Sequence, residues 1–162
     1  MKHLFVARHG SYGKDGRIND AGREQMKALA AVIKGILVGS PAHIVSSTAS
    51  RALDSAQVLA EELGLSGVEQ ELYIWGGGDA PKDSYYNDRW RSESASERLI
   101  EIVYRERSGA DTVIVVSHCG TADWIDYHVC EKESIPGHGK PTEIPKGRAI
   151  HFDMENKTRR LI

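Results

Sequence analysis

Apolar residues in this chain form two alternating patterns: short runs rich in β-branched residues, and longer stretches with apolar positions three or four residues apart. The clearest run, 113–116, is apolar at every position, which is typical of a strand covered on both faces of a parallel sheet. Shorter or weaker runs of this kind predict the other strands. The five predicted strands are 4–7, 43–46, 68–72, 113–116 and 149–153.

The stretches between the runs have the spacing of amphipathic helices. Asn19 and Asp20 provide a capping signal for the first helix, and Thr48 provides one for the second. The segment 73–91 follows neither pattern and contains consecutive glycines, so we predict a loop or lid there. The predicted helices are 20–38, a helix after Thr48 whose buried stripe ends at Leu63, 93–107, and a helix that carries Ala122, Ile125 and Val129.

Strands that alternate with helices predict an α/β fold, here a three-layer αβα sandwich around a mostly parallel sheet, built as one domain over 1–162. The formal net charge of −2 argues against a nucleic-acid partner, because such proteins usually carry a basic face. No stretch is long and apolar enough to cross a bilayer, and two cysteines are too few for a disulfide framework. We therefore expect a cytoplasmic protein with neither a nucleic-acid nor a membrane partner.

Two of the predicted strands end in a histidine that is followed closely by glycine. Ligand sites in open parallel sheets lie outside the carboxyl ends of the strands, so the two imidazoles can face one substrate. Glycine beside them lets the backbone turn sharply and approach a ligand. The two segments are Arg8-His9-Gly10 and Ser117-His118-Cys119-Gly120.

A third segment brings an arginine to the same edge of the sheet. The predicted strand 43–46 leads into hydroxyl residues, and Arg51 falls on the first turn of the next helix. Backbone N–H groups at a helix start favour an anion, and a guanidinium adds a planar pair of donors. Arg8 supplies a second guanidinium beside His9. Two arginines and two histidines at one edge suit a phosphate dianion, although Arg51 taken alone fits an ordinary salt bridge equally well.

Four segments of the chain, in the same order, resemble motifs of the histidine phosphatase superfamily, which includes the phosphoglycerate mutases. In size the chain is most similar to the short phosphohistidine phosphatases of that superfamily. The resemblance implies the fold predicted above and covers most of the chain from 4 to 122. The four segments are Arg8-His9-Gly10, Asn19-Asp20-Ala21-Gly22-Arg23-Glu24-Gln25, Ser46-Ser47 through Arg51-Ala52, and Ser117-His118-Cys119-Gly120.

The resemblance implies a role for each matched residue. His9 would attack phosphorus and carry the phosphoryl group as a covalent intermediate, which water then hydrolyses. Arg8, Arg51 and His118 would hold the equatorial oxygens and stabilise their charge in the transition state. No metal and no cofactor are implied. The remaining histidines have no zinc-ligand spacing with one another or with the cysteines.

The residues beside the two histidines are expected to contribute to substrate binding. They are Gly10, Ser11, Cys119 and Gly120. The Ser11 hydroxyl fits a donor to substrate and a turn residue equally well. We expect the Cys119 thiol to be buried and inert rather than nucleophilic.

The chain departs from the mutase pattern at the general acid. Where the mutase-like members carry a glutamate, this sequence has Ile74, so an acid would come from Asp79 or Asp83. A phosphohistidine substrate depends less on a general acid, because its leaving nitrogen can be protonated before the bond breaks. We therefore expect a phosphatase that favours a phosphohistidine-bearing protein. Two alternatives stay open: a phosphomonoesterase for a small phosphorylated metabolite, and a regulatory domain that binds phosphate without turnover.

Overall fold

The computed structural model describes residues 1–37, 39, 41–71, 100–101, 104, 110–137 and 139–162. Named strands and helices within these residues account for the predicted alternation. In chain order they are β1 (His3–Arg8), α1 (Asp20–Ile36), β2 (Ala42–Ser47), α2 (Ser50–Leu63), β3 (Glu69–Glu71), β4 (Thr112–Ser117), α3 (Thr121–Glu133), β5 (Ala149–Asp153) and β6 (Thr158–Leu161).

The strands form one sheet in the order β3-β2-β4-β1-β5-β6. The first four in this order pair in parallel, whereas β5 and β6 add to the far edge in antiparallel orientation. β4 lies between β1 and β2, with Arg8 opposite Ser117 and Ser46 opposite Val116. The carboxyl ends of all three central strands therefore meet at one edge, as the prediction of a mostly parallel sheet requires.

Alternating side chains of the central strands pack against different helices. Phe5 and Ala7 of β1 face α1 and α2 in one apolar cluster. Leu4 and Val6 face α3 in a second cluster on the opposite side of the sheet. Every residue of β4 is buried, because both of its faces are covered. The predicted three-layer αβα sandwich is therefore confirmed.

The structure corrects three local predictions. The edge strand β6 was not predicted, because only one of its four residues is apolar and an edge strand needs no buried face. Thr48 does not cap α2: the N-cap is Ala49, with no side-chain cap hydrogen bond. The third predicted strand begins one residue later than expected, at Glu69, and residue 72, its predicted end, lies outside the described residues.

Two predicted segments lie wholly or largely outside the described residues. They are the loop or lid at 73–91 and the helix at 93–107, of which only Ile100, Glu101 and Tyr104 are described, all three helical. No helix in the described part of the chain has the length and apolar character needed to span a bilayer.

Candidate active site

The ends of β1 and β4 bring the two predicted histidines together. His9 follows β1 and His118 follows β4, and the ring centroids lie 5.0 Å apart at an interplanar angle of 60°. Both side chains are almost fully buried. Because β1 and β4 are parallel neighbours, their carboxyl ends deliver both rings to one pocket.

His9 has the protonation state that a nucleophile needs. Its Nδ1–H donates to the Gly10 carbonyl oxygen at 2.8 Å, which leaves the Nε2 lone pair unprotonated in the neutral ring. Burial lowers the pKa of His9 to about 4, and the charges of Arg51, Arg8 and Lys146 contribute in the same direction. The imidazole is therefore neutral at physiological pH.

His118 is also held neutral. Burial is the main cause that lowers its pKa well below 6.5, and the charges of His9, Arg51 and Arg8 add to the effect. Its Nε2 lies 2.9 Å from the Ser47 hydroxyl at the end of β2. Its Nδ1 is buried and has no hydrogen-bond partner among the described residues. A buried polar atom without a partner costs free energy that a bound ligand can recover.

Arg8 is anchored on one side of its guanidinium. Its Nη1 donates to the Glu143 carboxylate and to the Ile144 carbonyl oxygen, each at 3.0 Å. Its Nε, on a different edge of the group, is buried and has no partner within the described part of the chain. The guanidinium is thus fixed in orientation while a buried donor remains available for an anion.

Arg51 lies in the first turn of α2 and is 4% exposed. Its guanidinium carbon is 5.1 Å from the centroid of the Tyr12 ring, and that ring lies 5.2 Å from His9. The Lys146 ammonium is 4.6 Å from the same Tyr12 centroid. Together with Arg8, these two side chains are the cations whose charges lower the pKa of His9.

The Asn19–Gln25 motif supports the loop that follows His9. Asn19 caps α1 by accepting from the Gly22 N–H at 2.9 Å, and the Gln25 side chain accepts from the Ser11 N–H at 2.8 Å. Gly10 and Gly22 are in backbone contact, since a Cβ built on Gly10 would lie 2.6 Å from the Gly22 carbonyl oxygen. The N-terminal part of α1 therefore packs against the loop that follows His9 and holds it in place.

A second support comes from α2. Ser55 donates its hydroxyl proton to the Arg51 carbonyl oxygen at 2.6 Å and accepts from the Gly10 N–H at 3.0 Å. One buried hydroxyl thus links the loop that carries His9 to the turn that carries Arg51. The Gly10 N–H is consequently occupied by Ser55 in this structure.

The segment 143–148 packs against the end of β1 and the residues that follow it. The Gly147 N–H donates to the carbonyl oxygens of Arg8 and His9 at 3.2 and 3.1 Å. Asp123 of α3 accepts from the Ile144 N–H at 2.9 Å and, with its other oxygen, from the Gly120 N–H at 2.9 Å. The segment that anchors Arg8 is therefore itself tied to α3.

Cys119 differs from the expectation in one respect: its side chain is exposed, because it lies in the turn between β4 and α3. Its thiol lies 3.8 Å from the Asp123 carboxylate. Partial burial and the Asp123 charge raise the pKa of the Cys119 thiol, which therefore stays protonated rather than acting as a thiolate nucleophile.

The site contains several residues that the sequence motifs did not single out, among them Tyr12, Ser55, Glu143 and Lys146. Glu143 and Lys146 are brought in by contacts between distant parts of the chain, whereas Tyr12 lies three residues after His9 and Ser55 four residues after Arg51. The predicted acids Asp79 and Asp83 lie outside the described residues. No group of three or more His, Cys, Asp or Glu in the described ranges is arranged to hold a metal ion.

The neutral state of His9 predicts an acid-dependent loss of stability. Unfolded His9 takes up a proton near pH 6.5, whereas folded His9 stays neutral down to about pH 4. The unfolded state thus binds more protons in this window, so the free energy of unfolding falls as pH drops, by about 1.4 kcal/mol per pH unit for one such group.

Urea unfolding at about pH 7 and about pH 5 measures this effect. Between these two conditions, the loss in the free energy of unfolding should be about 2 kcal/mol smaller in His9→Ala than in the native chain. Equal losses in the two proteins would contradict a depressed pKa at His9.

Comparison with known proteins agrees with this geometry. Residues 4–74 match the family model described as the histidine phosphatase superfamily, branch 1. This range contains the first three of the four motifs and therefore His9 and Arg51. A search of curated proteins finds no match.

Solved structures share the fold over the whole chain. The protein histidine phosphatase SixA, complexed with tungstate, is 20% identical with a TM-score of 0.66 over 99% of this chain and 94% of that one. A mycobacterial glucosyl-3-phosphoglycerate phosphatase complexed with VO3 is 21% identical with a TM-score of 0.67 over 99% of this chain and 97% of that one. At such identities the likeness establishes the fold.

The family match and the shared fold agree with the motifs from which the superfamily was predicted. The prediction that the chain is an enzyme of a phosphatase family is confirmed as well. Over residues 4–74 the chain matches the histidine phosphatase superfamily, the family that its motifs predicted.

Proposed function

We propose that this protein, acting as one domain, hydrolyses a phosphoryl group through a covalent phosphohistidine on Nε2 of His9. The observation that carries the proposal is the pairing of a neutral His9, its Nε2 unprotonated, with two buried polar atoms that have no partner among the described residues. These are Nε of Arg8 and Nδ1 of His118. A phosphate oxygen provides the acceptor that a buried N–H requires.

In the first step, the Nε2 lone pair of His9 forms a bond to phosphorus while the bond to the leaving group breaks. The leaving group takes the bonding electron pair; a phosphohistidine nitrogen has already been protonated from solvent, whereas an ester oxygen takes its proton from a carboxylic acid. Arg8, Arg51 and His118 stabilise the charge on the equatorial oxygens, as phosphoryl transfer relies mainly on positioning and electrostatics. Water then attacks phosphorus, the P–N bond breaks, and Nε2 recovers its lone pair as phosphate leaves.

The favoured substrate is a phosphohistidine in a protein. Its leaving nitrogen can be protonated before the P–N bond breaks, whereas an alkoxide needs a positioned acid. Ile74 stands where mutase-like members carry that acid. The similar solved structures include one named as a protein histidine phosphatase, which supports this substrate class.

A second candidate is a phosphomonoesterase for a small metabolite. It is favoured by the Lys146 ammonium at the rim of the site, which suits an additional anionic group on a small substrate. A similar structure named as a glucosyl-3-phosphoglycerate phosphatase supports it too. In this case Asp79 or Asp83 would protonate the leaving oxygen.

A substrate panel separates these candidates. We expect kcat/KM for a phosphohistidine peptide to exceed that for sugar phosphates and for p-nitrophenyl phosphate by about 100-fold or more, since only the esters need an acid. Higher values for a sugar phosphate would select the metabolite enzyme. Tight phosphate binding with no turnover of any substrate would indicate a non-catalytic domain.

The same substrate panel, applied to variants of two carboxylates, tests whether either one acts as the general acid. Asp79→Asn or Asp83→Asn should lower ester hydrolysis by about 10²-fold or more and leave phosphohistidine hydrolysis unchanged. Asp15→Asn, which alters an exposed carboxylate in the described part of the chain, is the matched control. Equal loss on both substrate types would show that the variant acts on something other than the leaving group.

A further inference from the structure

The Ser47 hydroxyl makes two contacts that together determine where its proton goes. Ser47 ends β2 and is fully buried, and its Oγ lies 2.9 Å from Nε2 of His118. The same oxygen accepts the Ala49 N–H at 3.2 Å. A serine hydroxyl has one proton to donate and two lone pairs that accept.

Two arrangements of protons satisfy the 2.9 Å contact, and they differ in cost. If Nε2 of His118 carried the proton, the Ser47 oxygen would accept twice, and its own proton would have no acceptor among the described residues. If Ser47 donates to Nε2 instead, the Ala49 N–H, the Ser47 hydroxyl and Nε2 are all paired, and Nδ1–H of His118 is the one group left without a partner among the described residues. The first arrangement leaves both the Ser47 O–H and the Nδ1 lone pair unpaired, whereas the second leaves only Nδ1–H, to which an anion can bind, so the second arrangement is favoured.

We propose that Ser47 is a positioning residue that holds neutral His118 in its Nδ1–H tautomer, so that Nδ1–H donates to a phosphoryl oxygen. This inference rests on the function proposed above. It explains why Nδ1 is buried without a partner in the described part of the chain. In this tautomer Nδ1 is a donor, and the ring shares the pocket in which His9 lies 5.0 Å away.

A neutral His118 with its proton on Nδ1 also avoids electrostatic repulsion within the site. A protonated His118 would donate from both nitrogens, but its charge would be repelled by those of Arg8 and Arg51. A neutral ring avoids this repulsion, yet it has only one N–H, whose position must be set by a neighbour. With Ser47 as that neighbour, the donor is present at any pH at which His118 is neutral.

Nitrogen-15 NMR of the histidine side chains tests the tautomer directly. With the His118 resonances assigned by their loss in His118→Gln, the native chain should show a proton on Nδ1 and none on Nε2. Ser47→Ala should shift His118 toward the Nε2–H form or a mixture. Ser46→Ala is the matched control: this neighbouring buried serine donates to the Ser47 carbonyl oxygen, and its loss should leave the Nδ1–H form intact.

Titration with inorganic phosphate tests the donor role. The Nδ1-bound proton of His118 should move downfield on phosphate binding in the native chain and in Ser46→Ala. An Nε2–H tautomer in the native chain, or an Nδ1–H signal that phosphate leaves unchanged, would overturn the proposal.

Kinetics provide a second readout. Ser47→Ala should lower kcat by about 10-fold to 100-fold, as for the loss of one transition-state donor, with little change in KM. Ser47→Thr, which keeps the hydroxyl, should restore most of the rate, and Ser46→Ala should stay within about 2-fold of native. Equal losses in Ser46→Ala and Ser47→Ala would point to a packing effect and refute the assignment.

These outcomes are separable from those of the proposed function. If a phosphoryl group is trapped on His9 while His118 carries its proton on Nε2, the role of Ser47 fails and the proposed function stands. If phosphate moves the Nδ1-bound proton as expected but no substrate is turned over, the role of Ser47 as a positioning residue for anion binding stands and the proposed hydrolysis fails.

Discussion

Replacing His9 with alanine should abolish turnover, by a factor of about 10⁴ or more, while leaving the fold and most of the anion binding intact. The substitution removes the Nε2 lone pair that forms the bond to phosphorus. It leaves Arg8, Arg51 and His118, each of which is positioned by contacts that do not involve the His9 ring. Phosphate should therefore still bind, with a Kd within about 10-fold of the native value.

Trapping of the covalent intermediate provides the measurement. Rapid quench with phosphorus-32-labelled substrate should label the native chain on His9 and leave His9→Ala unlabelled. His3→Ala is the matched control, because it removes an imidazole at the opposite end of β1, one that contacts His151 rather than the site. It should be labelled like the native chain. Turnover in His9→Ala, or label on another residue, would refute the assignment of the nucleophile.

The parts of the fold that could be predicted from the sequence are those with buried faces. β4 is apolar throughout because helices cover both of its sides, so its run is visible in the sequence. β6 has the sequence Thr-Arg-Arg-Leu and lies at an edge, where no burial pattern is imposed. Its position depends on pairing with β5, which sequence spacing does not reveal.

The same distinction applies to the site. His9, Arg8, Arg51 and His118 follow strand ends or a helix start, so their convergence could be predicted from the order of elements. Glu143 reaches Arg8 across 135 positions of sequence, and no local pattern signals such a contact. Residues such as Glu143, which hold a site residue in position, depend on how distant parts of the folded chain meet. Motifs alone therefore do not reveal them.

Neutral histidines among cations are a further property that sequence alone does not give. The motifs predict two arginines and two histidines at one edge of the sheet, but the protonation states depend on burial. Burial is the largest cause of the depressed pKa of both His9 and His118. The fold thus removes charge from the imidazoles while the guanidinium charges remain to balance a phosphate dianion.

Gly22→Ala should disrupt the site far more than Gly35→Ala, the other change from glycine to alanine in α1. A Cβ at position 22 would lie 2.0 Å from the Ser11 carbonyl oxygen and 2.9 Å from the Ser11 N atom. These are backbone atoms, so the loop that carries His9 and Gly10 has to move. We expect a loss of about 2 to 4 kcal/mol in the free energy of unfolding and a fall in kcat/KM of about 100-fold.

Gly35→Ala provides a matched control on the same helix, because a Cβ there meets nothing within 4 Å. Alanine is the better helix former, so Gly35→Ala should raise the free energy of unfolding by about 0.5 to 1 kcal/mol and leave kcat/KM unchanged. Urea unfolding and kinetics on both variants give the comparison. If Gly22→Ala behaved like Gly35→Ala, the contact between α1 and Ser11 would have no part in holding His9, and the Asn19–Gln25 motif would need another explanation.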